Sequence, residues 1–174
     1  TFATDITLEE LAMLFTTAEK WSDVRADWPA EPIQRFTPGT DSGTFDFFVE
    51  VVIQKPQKLE KLEDAKALVL SATNLQTSED DNVLVQGVEG SPYAIGYFGY
   101  AYYAENTGKL KALPIVSPKT GKAVEPSPAN VENGTYQPLS RPIFIYIKAK
   151  SLEKPEVKEF VEYYMKDGAK LTKE

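Results

Sequence analysis

The chain reads as an α/β domain, a central mixed or mostly parallel sheet flanked by helices, and three observations predict it. Short β-branched and aromatic runs (Ile33–Phe36, Ala94–Phe98, Pro142–Ile147) alternate with stretches whose apolar residues recur at helical spacing. Helix-start signals stand before several of those stretches, in Thr7–Glu10 and in Ser78–Asp81. The 174 residues, 42% of them hydrophobic, suffice for one good-sized domain or one lobe of a larger protein.

Taken in order, Thr7-Leu8-Glu9-Glu10 fits a capping box, and Leu8, Leu11, Leu14 and Phe15 give a first short helix. Trp21 and Trp28 fall in an irregular stretch and are expected to lie as lids on the core. Ile33–Phe36 predicts a strand ended by Pro38-Gly39. Phe45, Phe48, Val49 and Val52 stand at i, i+3, i+4 and i+7, so a helix runs from Thr44 to about Ile53, with Pro56 as its stop. Residues 58–71 fit helix or strand. Ser78 reads as the hydroxyl cap of a helix with Glu79, Asp80 and Asp81 in its first turn, Val83, Leu84 and Val88 inward, and Gly87 or Gly90 at its end. Leu110–Ile115 is a further strand candidate. Residues 117–138, rich in Pro, Gly, Asn and Ser, read as a surface excursion. Pro142–Ile147 is the most strand-like segment. Val157, Phe160, Val161 and Tyr164 build a last amphipathic helix closed by Gly168.

The formal net charge of −7 argues against nucleic-acid binding and against a basic membrane patch. With no histidine and no cysteine, thiolate zinc sites, iron–sulfur clusters, cysteine nucleophiles and Ser-His-Asp triads are excluded. No apolar stretch approaches the roughly 20 residues of a membrane span. No signal-type segment opens the sequence, as in an exported protein after trimming.

One segment bears on function. Pro38–Phe48 (P-G-T-D-S-G-T-F-D-F-F) runs from a glycine-flanked polar loop straight into the amphipathic helix. A helix start presents backbone donors and partial positive charge, so it holds an oxyanion without a lysine or arginine. Ser42 and Thr44 supply hydroxyl donors, and Gly43 permits close backbone approach. Asp41 can accept a hydrogen bond from a protonated oxyanion. The plainer reading is that Asp41 or Ser42 simply caps a structural helix. No Gly-Lys-Ser/Thr ending follows, so this is no nucleotide-hydrolysing loop. For the run Tyr97–Tyr103, a packed core and a stacking surface both fit, with the core the commoner outcome.

These residues resemble a known family, the phosphate-binding component of bacterial phosphate ABC transporters, in its cyanobacterial-like branch. The matching stretches are Trp21–Val24, Pro38–Asp46, Ser78–Val88, Ala94–Tyr103 and Pro138–Pro142, in the family's order. The resemblance implies one lobe of a two-lobed periplasmic-binding-protein-like fold: residues 1–148 as the second lobe, and 149–174 as the crossover and helix returning toward the first. It implies inorganic phosphate as ligand, held by Ser42, Gly43 and Thr44 with Asp41 beside them. It also implies no metal, no cofactor and no catalysis, delivery to a membrane permease, and a periplasmic or cell-surface location. Two departures stand out. The family's first-lobe phosphate loop is not in this sequence. The Arg-Ser-Asp that relatives carry before the acidic segment is replaced by Ser71-Ala72-Thr73-Asn74-Leu75. A binder of another oxyanion such as sulfate, and a non-catalytic interaction or scaffold domain, are the alternatives.

Overall fold

The computed structural model describes residues 2–142 and 144–171, with backbone alone at 169 and 171. The chain divides into a compact unit running to Ser140 and a second from Arg141 onward.

In the first unit the capping box forms as expected. The Thr7 hydroxyl oxygen accepts from the Glu10 N–H at 3.2 Å, and the Glu10 carboxylate accepts from the Thr7 N–H at 2.9 Å. Helix α1 (Leu8–Phe15) follows and buries Leu8, Leu11, Leu14 and Phe15. A 3-10 turn spans Trp21–Asp23. Both tryptophans are buried; Phe2 meets Trp21 edge-on at 4.9 Å, and the two indoles meet at 5.6 Å. The Trp21 indole N–H donates to the Tyr93 carbonyl at 3.0 Å, satisfying the one polar group its burial would strand.

The central sheet is wholly parallel. Strand β1 (Gln34–Pro38) lies between β2 (Leu75–Ser78) and β3 (Ala94–Gly96), with Phe36 opposite both Gln76 and Gly96. Alternation along β1 sends neighbouring side chains to opposite faces. Phe36 faces α5 (Asp81–Glu89), where only a glycine fits: a Cβ at Gly87 would overlap the Phe36 ring. Arg35 and Thr37 face the other side, toward α1 and the helix that begins at Gly43. That helix runs unbroken as α2 (Gly43–Phe48), a π-helical stretch (Val49–Gln54) and α3 (Lys55–Gln57). Its inner face, Phe45, Phe48, Val49, Val52 and Ile53, joins Phe15, Ile33 and Val69 in the core.

Several expectations are corrected here. Pro56 does not stop the helix; it sits inside the last turn, and the chain leaves at Lys58 in the left-handed conformation (φ 56°). The π stretch already breaks the i→i−4 ladder, so the missing proline N–H disrupts little. Residues 58–71 resolve as helix α4 (Leu62–Leu70). The cap of α5 is Asp80, whose carboxylate accepts from Asn82 N–H at 2.9 Å, whereas Ser78 ends β2 and its hydroxyl accepts from Asp80 N–H. Leu84 and Val85 are the buried pair of α5, Val83 is exposed, and Gly90 caps the end. In the Leu110–Ile115 candidate only Ile115 lies in a strand, since Pro114 has no N–H to offer a ladder. Strand β4 (Ile115–Val116) pairs antiparallel with β5 (Ala123–Val124). Helix α6 (Tyr100–Ala104) takes up the aromatic run, and α7 (Pro128–Glu132) lies in the excursion.

In the second unit, a 3-10 turn (Ala149–Glu153) precedes α8 (Pro155–Leu171), which continues through Gly168. None of the described residues in 142–147 lies in a strand, and Phe144 and Tyr146 are 68% and 91% exposed. A strand requires a paired neighbour to satisfy its backbone, whatever the propensity of its side chains.

Candidate functional site

Strand β1 delivers the loop 39–42 to the carboxyl end of the parallel sheet, the end where open α/β sheets hold their ligands. Gly39 N–H donates to the Ser78 carbonyl at 3.0 Å, tying the loop to the end of β2. Ser42 N–H donates back to the Gly39 carbonyl at 3.0 Å, closing a turn. Ser42 then caps α2: its backbone is extended, and its hydroxyl oxygen accepts from the Thr44 N–H at 3.2 Å. The plain-cap reading of Ser42 is therefore realised. Capping uses a lone pair, and a serine hydroxyl keeps its proton for a further acceptor. Gly43 is the first helical residue, and Asp41 and Gly43 are exposed while Ser42 and Thr44 are half-buried.

Acids surround this loop. The Glu79 side chain lies against Gly39, where any Cβ would collide with its carboxylate. Asp81, the first residue of α5, has its carboxyl pushed above the usual range, first by burial and then by Asp80 and Glu79. One turn into α2, Asp46 forms an ion pair with Lys66 of α4 at 2.6 Å. The hydrogen bond to Asp46 raises the Lys66 ammonium above its ordinary value, with Glu63 and Asp41 adding to it.

Some contributors were not legible in the sequence. Arg35 is fully buried and donates to the carbonyls of Leu14, Ala18 and Thr73. Two of these lie at and just beyond the carboxyl end of α1, where a cation complements the helix dipole. Burial lowers its guanidinium pKa. Through Thr73 it also holds the 71–75 segment. An arginine inside the strand-like run I-Q-R-F was the available signal. An apolar cavity of about 320 Å³ opens beside the sheet, lined by Phe15, Phe48, Tyr97, Leu110, Ile115 and Thr44 among others. Thr44 lies on its wall while Asp41, Ser42 and Gly43 do not, so the cavity adjoins the candidate site at Thr44. Among the described residues no group of acidic side chains is arranged to hold a metal ion, and no helix is long and apolar enough to cross a membrane.

An open parallel sheet flanked by helices, with a hydroxyl-bearing loop beyond its central strand, is the build of a periplasmic-binding-protein lobe. The chain belongs to the PBP superfamily, whose domain model matches residues 2–167. Among curated relatives, protein SphX of Synechococcus elongatus is 44% identical over 174 residues, covering 97% of this chain and 48% of that protein. The phosphate-binding protein PstS of Staphylococcus haemolyticus is 37% identical over 171 residues, covering 97% and 49%. A crystal structure of a possible phosphate binding protein from Planctomyces limnophilus superposes with a TM-score of 0.78 at 44% identity, covering 97% of this chain and 56% of that one. A substrate-binding protein assigned to a phosphate ABC transporter of Clostridium perfringens, with bound phosphate, gives 0.68 at 25% identity, covering 96% and 59%. The chain spans about half the length of the curated relatives it matches.

Proposed function

We propose that this chain supplies one wall of a cleft that captures inorganic phosphate for an ABC-type importer. In this reading residues 1–148 are the lobe and 149–174 the crossover helix. The carrying observation is the placement of Asp41-Ser42-Gly43-Thr44 at the carboxyl end of the central parallel strand, with the Ser42 hydroxyl already oriented at a helix start. The phosphate-binding relatives support it.

Ser42 and Thr44 donate hydroxyl hydrogen bonds, and the backbone around Gly43 completes the cradle. Asp41 accepts from a protonated phosphate oxygen. Sulfate is unprotonated at neutral pH and meets an unpaired carboxylate there, so the acidic surroundings discriminate against it. The protein binds and releases its ligand without catalysis, works in the periplasm or at the cell surface, and hands phosphate to a membrane permease.

Calorimetric titration of the full-length protein tests this. Phosphate should bind, sulfate should compete poorly, and the Ser42→Ala/Thr44→Ala pair should lose phosphate retention. Unchanged phosphate binding by the double variant would reduce the loop to a capped structural turn.

A further inference from the structure

The loop proposed to hold phosphate has no cation of its own. Pro38–Phe48 contains two carboxylates, Asp41 and Asp46, and neither lysine nor arginine. Backbone donors and hydroxyls can hold an anion there, but each carboxylate of the loop repels it. A positive charge delivered from elsewhere in the fold therefore bears directly on affinity.

Helix α4 delivers one. Ala65 and Val69 are fully buried and seat α4 in the core, against the π-helical continuation of α2. Lys66, next to Ala65, reaches across to Asp46, with ammonium and carboxylate 2.6 Å apart. Asp46 N–H donates to the Ser42 carbonyl at 3.1 Å, so Asp46 stands one turn past the Ser42 cap. Helical residues four apart share a face, about 5–6 Å between Cβ atoms, and their side chains tilt toward the N-terminus. Asp46 thus leans toward the loop and brings the Lys66 ammonium to its flank. The Asp46 hydrogen bond leads the causes that raise the Lys66 ammonium, and Asp41, in the loop itself, adds to them.

This pair can open. The Lys66 side chain is 21% exposed and that of Asp46 44%. Ion pairs in contact with water are weak, whereas an ammonium bonded to a phosphate oxygen is a strong contact. Lysine carries its charge on a flexible stem, so it changes partner without any movement of α4.

We propose that Lys66 is the cation of the phosphate site: Asp46 keeps its ammonium at the flank of the loop while the site is empty, and the ammonium turns to a phosphate oxygen when the anion enters. Asp46 then competes with the ligand for Lys66. The inference rests on the phosphate reading above and adds to it a binding residue from outside the loop.

Phosphate calorimetry of the full-length protein tests it. Lys66→Met should weaken phosphate binding by roughly tenfold or more, the loss expected for one hydrogen bond to a charged group. Lys66→Arg should keep most of the affinity. Asp46→Asn, which releases the ammonium and removes a repelling charge, should tighten binding by about twofold to fivefold, the strength of an exposed ion pair. A purely structural pair predicts the opposite for Asp46→Asn, since breaking it from either side would loosen the loop alike. Parent-like affinity in Lys66→Met, or a loss in Asp46→Asn matching that in Lys66→Met, overturns the inference while the phosphate reading stands. If Lys66→Met fails to fold, the direction of the Asp46→Asn change decides alone. A parent protein that binds no phosphate overturns both.

Discussion

Ser42 offers a substitution that separates capping from ligand binding. As N-cap, its oxygen accepts from Thr44 N–H at 3.2 Å. Replacing Ser42 with Ala removes that acceptor and costs about 1 kcal/mol, whereas Gly, a tolerable cap, costs only about a few tenths. For a domain of this size, about 1 kcal/mol lowers the melting temperature by roughly 2–4 °C. Binding obeys a different rule. If the hydroxyl proton donates to an anion, Ala and Gly lose it equally, and a hydrogen bond to a charged group is worth about 1.5–3 kcal/mol, or roughly 10- to 150-fold in affinity. Thermal unfolding should therefore rank Ser42→Gly close to the parent and Ser42→Ala below it. Phosphate calorimetry should place both well below the parent, while Ser42→Thr keeps most of the binding. Parent-like affinity in Ser42→Gly would refute the ligand role and leave Ser42 a cap alone.

Two further expectations concern the scaffold that carries the loop. Gly87→Ala should destabilise: its Cβ would come within 2.7 Å of Phe36 Cζ and closer to other ring atoms. Overpacking of about 1–3 kcal/mol outweighs or cancels the roughly 1 kcal/mol gained in helix propensity. Urea unfolding of Gly87→Ala against Gly87→Ala/Phe36→Leu should show relief in the double variant; a net gain from Gly87→Ala alone refutes the packing account. Glu10, held below its ordinary 4.5 chiefly by the hydrogen bond from Arg25, contributes stability above that pH. The contribution fades as pH falls through the lowered folded value. Arg25→Gln should thus lower the melting temperature at pH 7 and lose less than the parent does on going to pH 3; parallel losses in both proteins would count against this pairing.

The sequence determined by itself the features whose causes are local. The Thr7 capping box, the spacing that buries Phe45, Phe48, Val49 and Val52, the punctuation by Pro38-Gly39, and the hydroxyl-and-glycine loop at a helix start were all readable, because each depends on residues within one or two turns of each other. The resemblance carried by five ordered stretches fixed the family, since several motifs in order constrain more than any one of them.

Tertiary structure alone decided what depends on partners distant in sequence. Pro142–Ile147 has the side chains of a strand, yet strand formation is settled by pairing and not by propensity. Ser78 looked like a cap, but its backbone was claimed by pairing with Pro38 in β1, so the cap moved to Asp80. Arg35 became a buried clamp on carbonyls from two distant segments. Phe48 and Tyr97 are far apart in the sequence; only the parallel pairing of β3 with β1 brings the Tyr97 ring flat onto Phe48 of α2. Local chemistry wrote the loop, and long-range packing decides how firmly it is held.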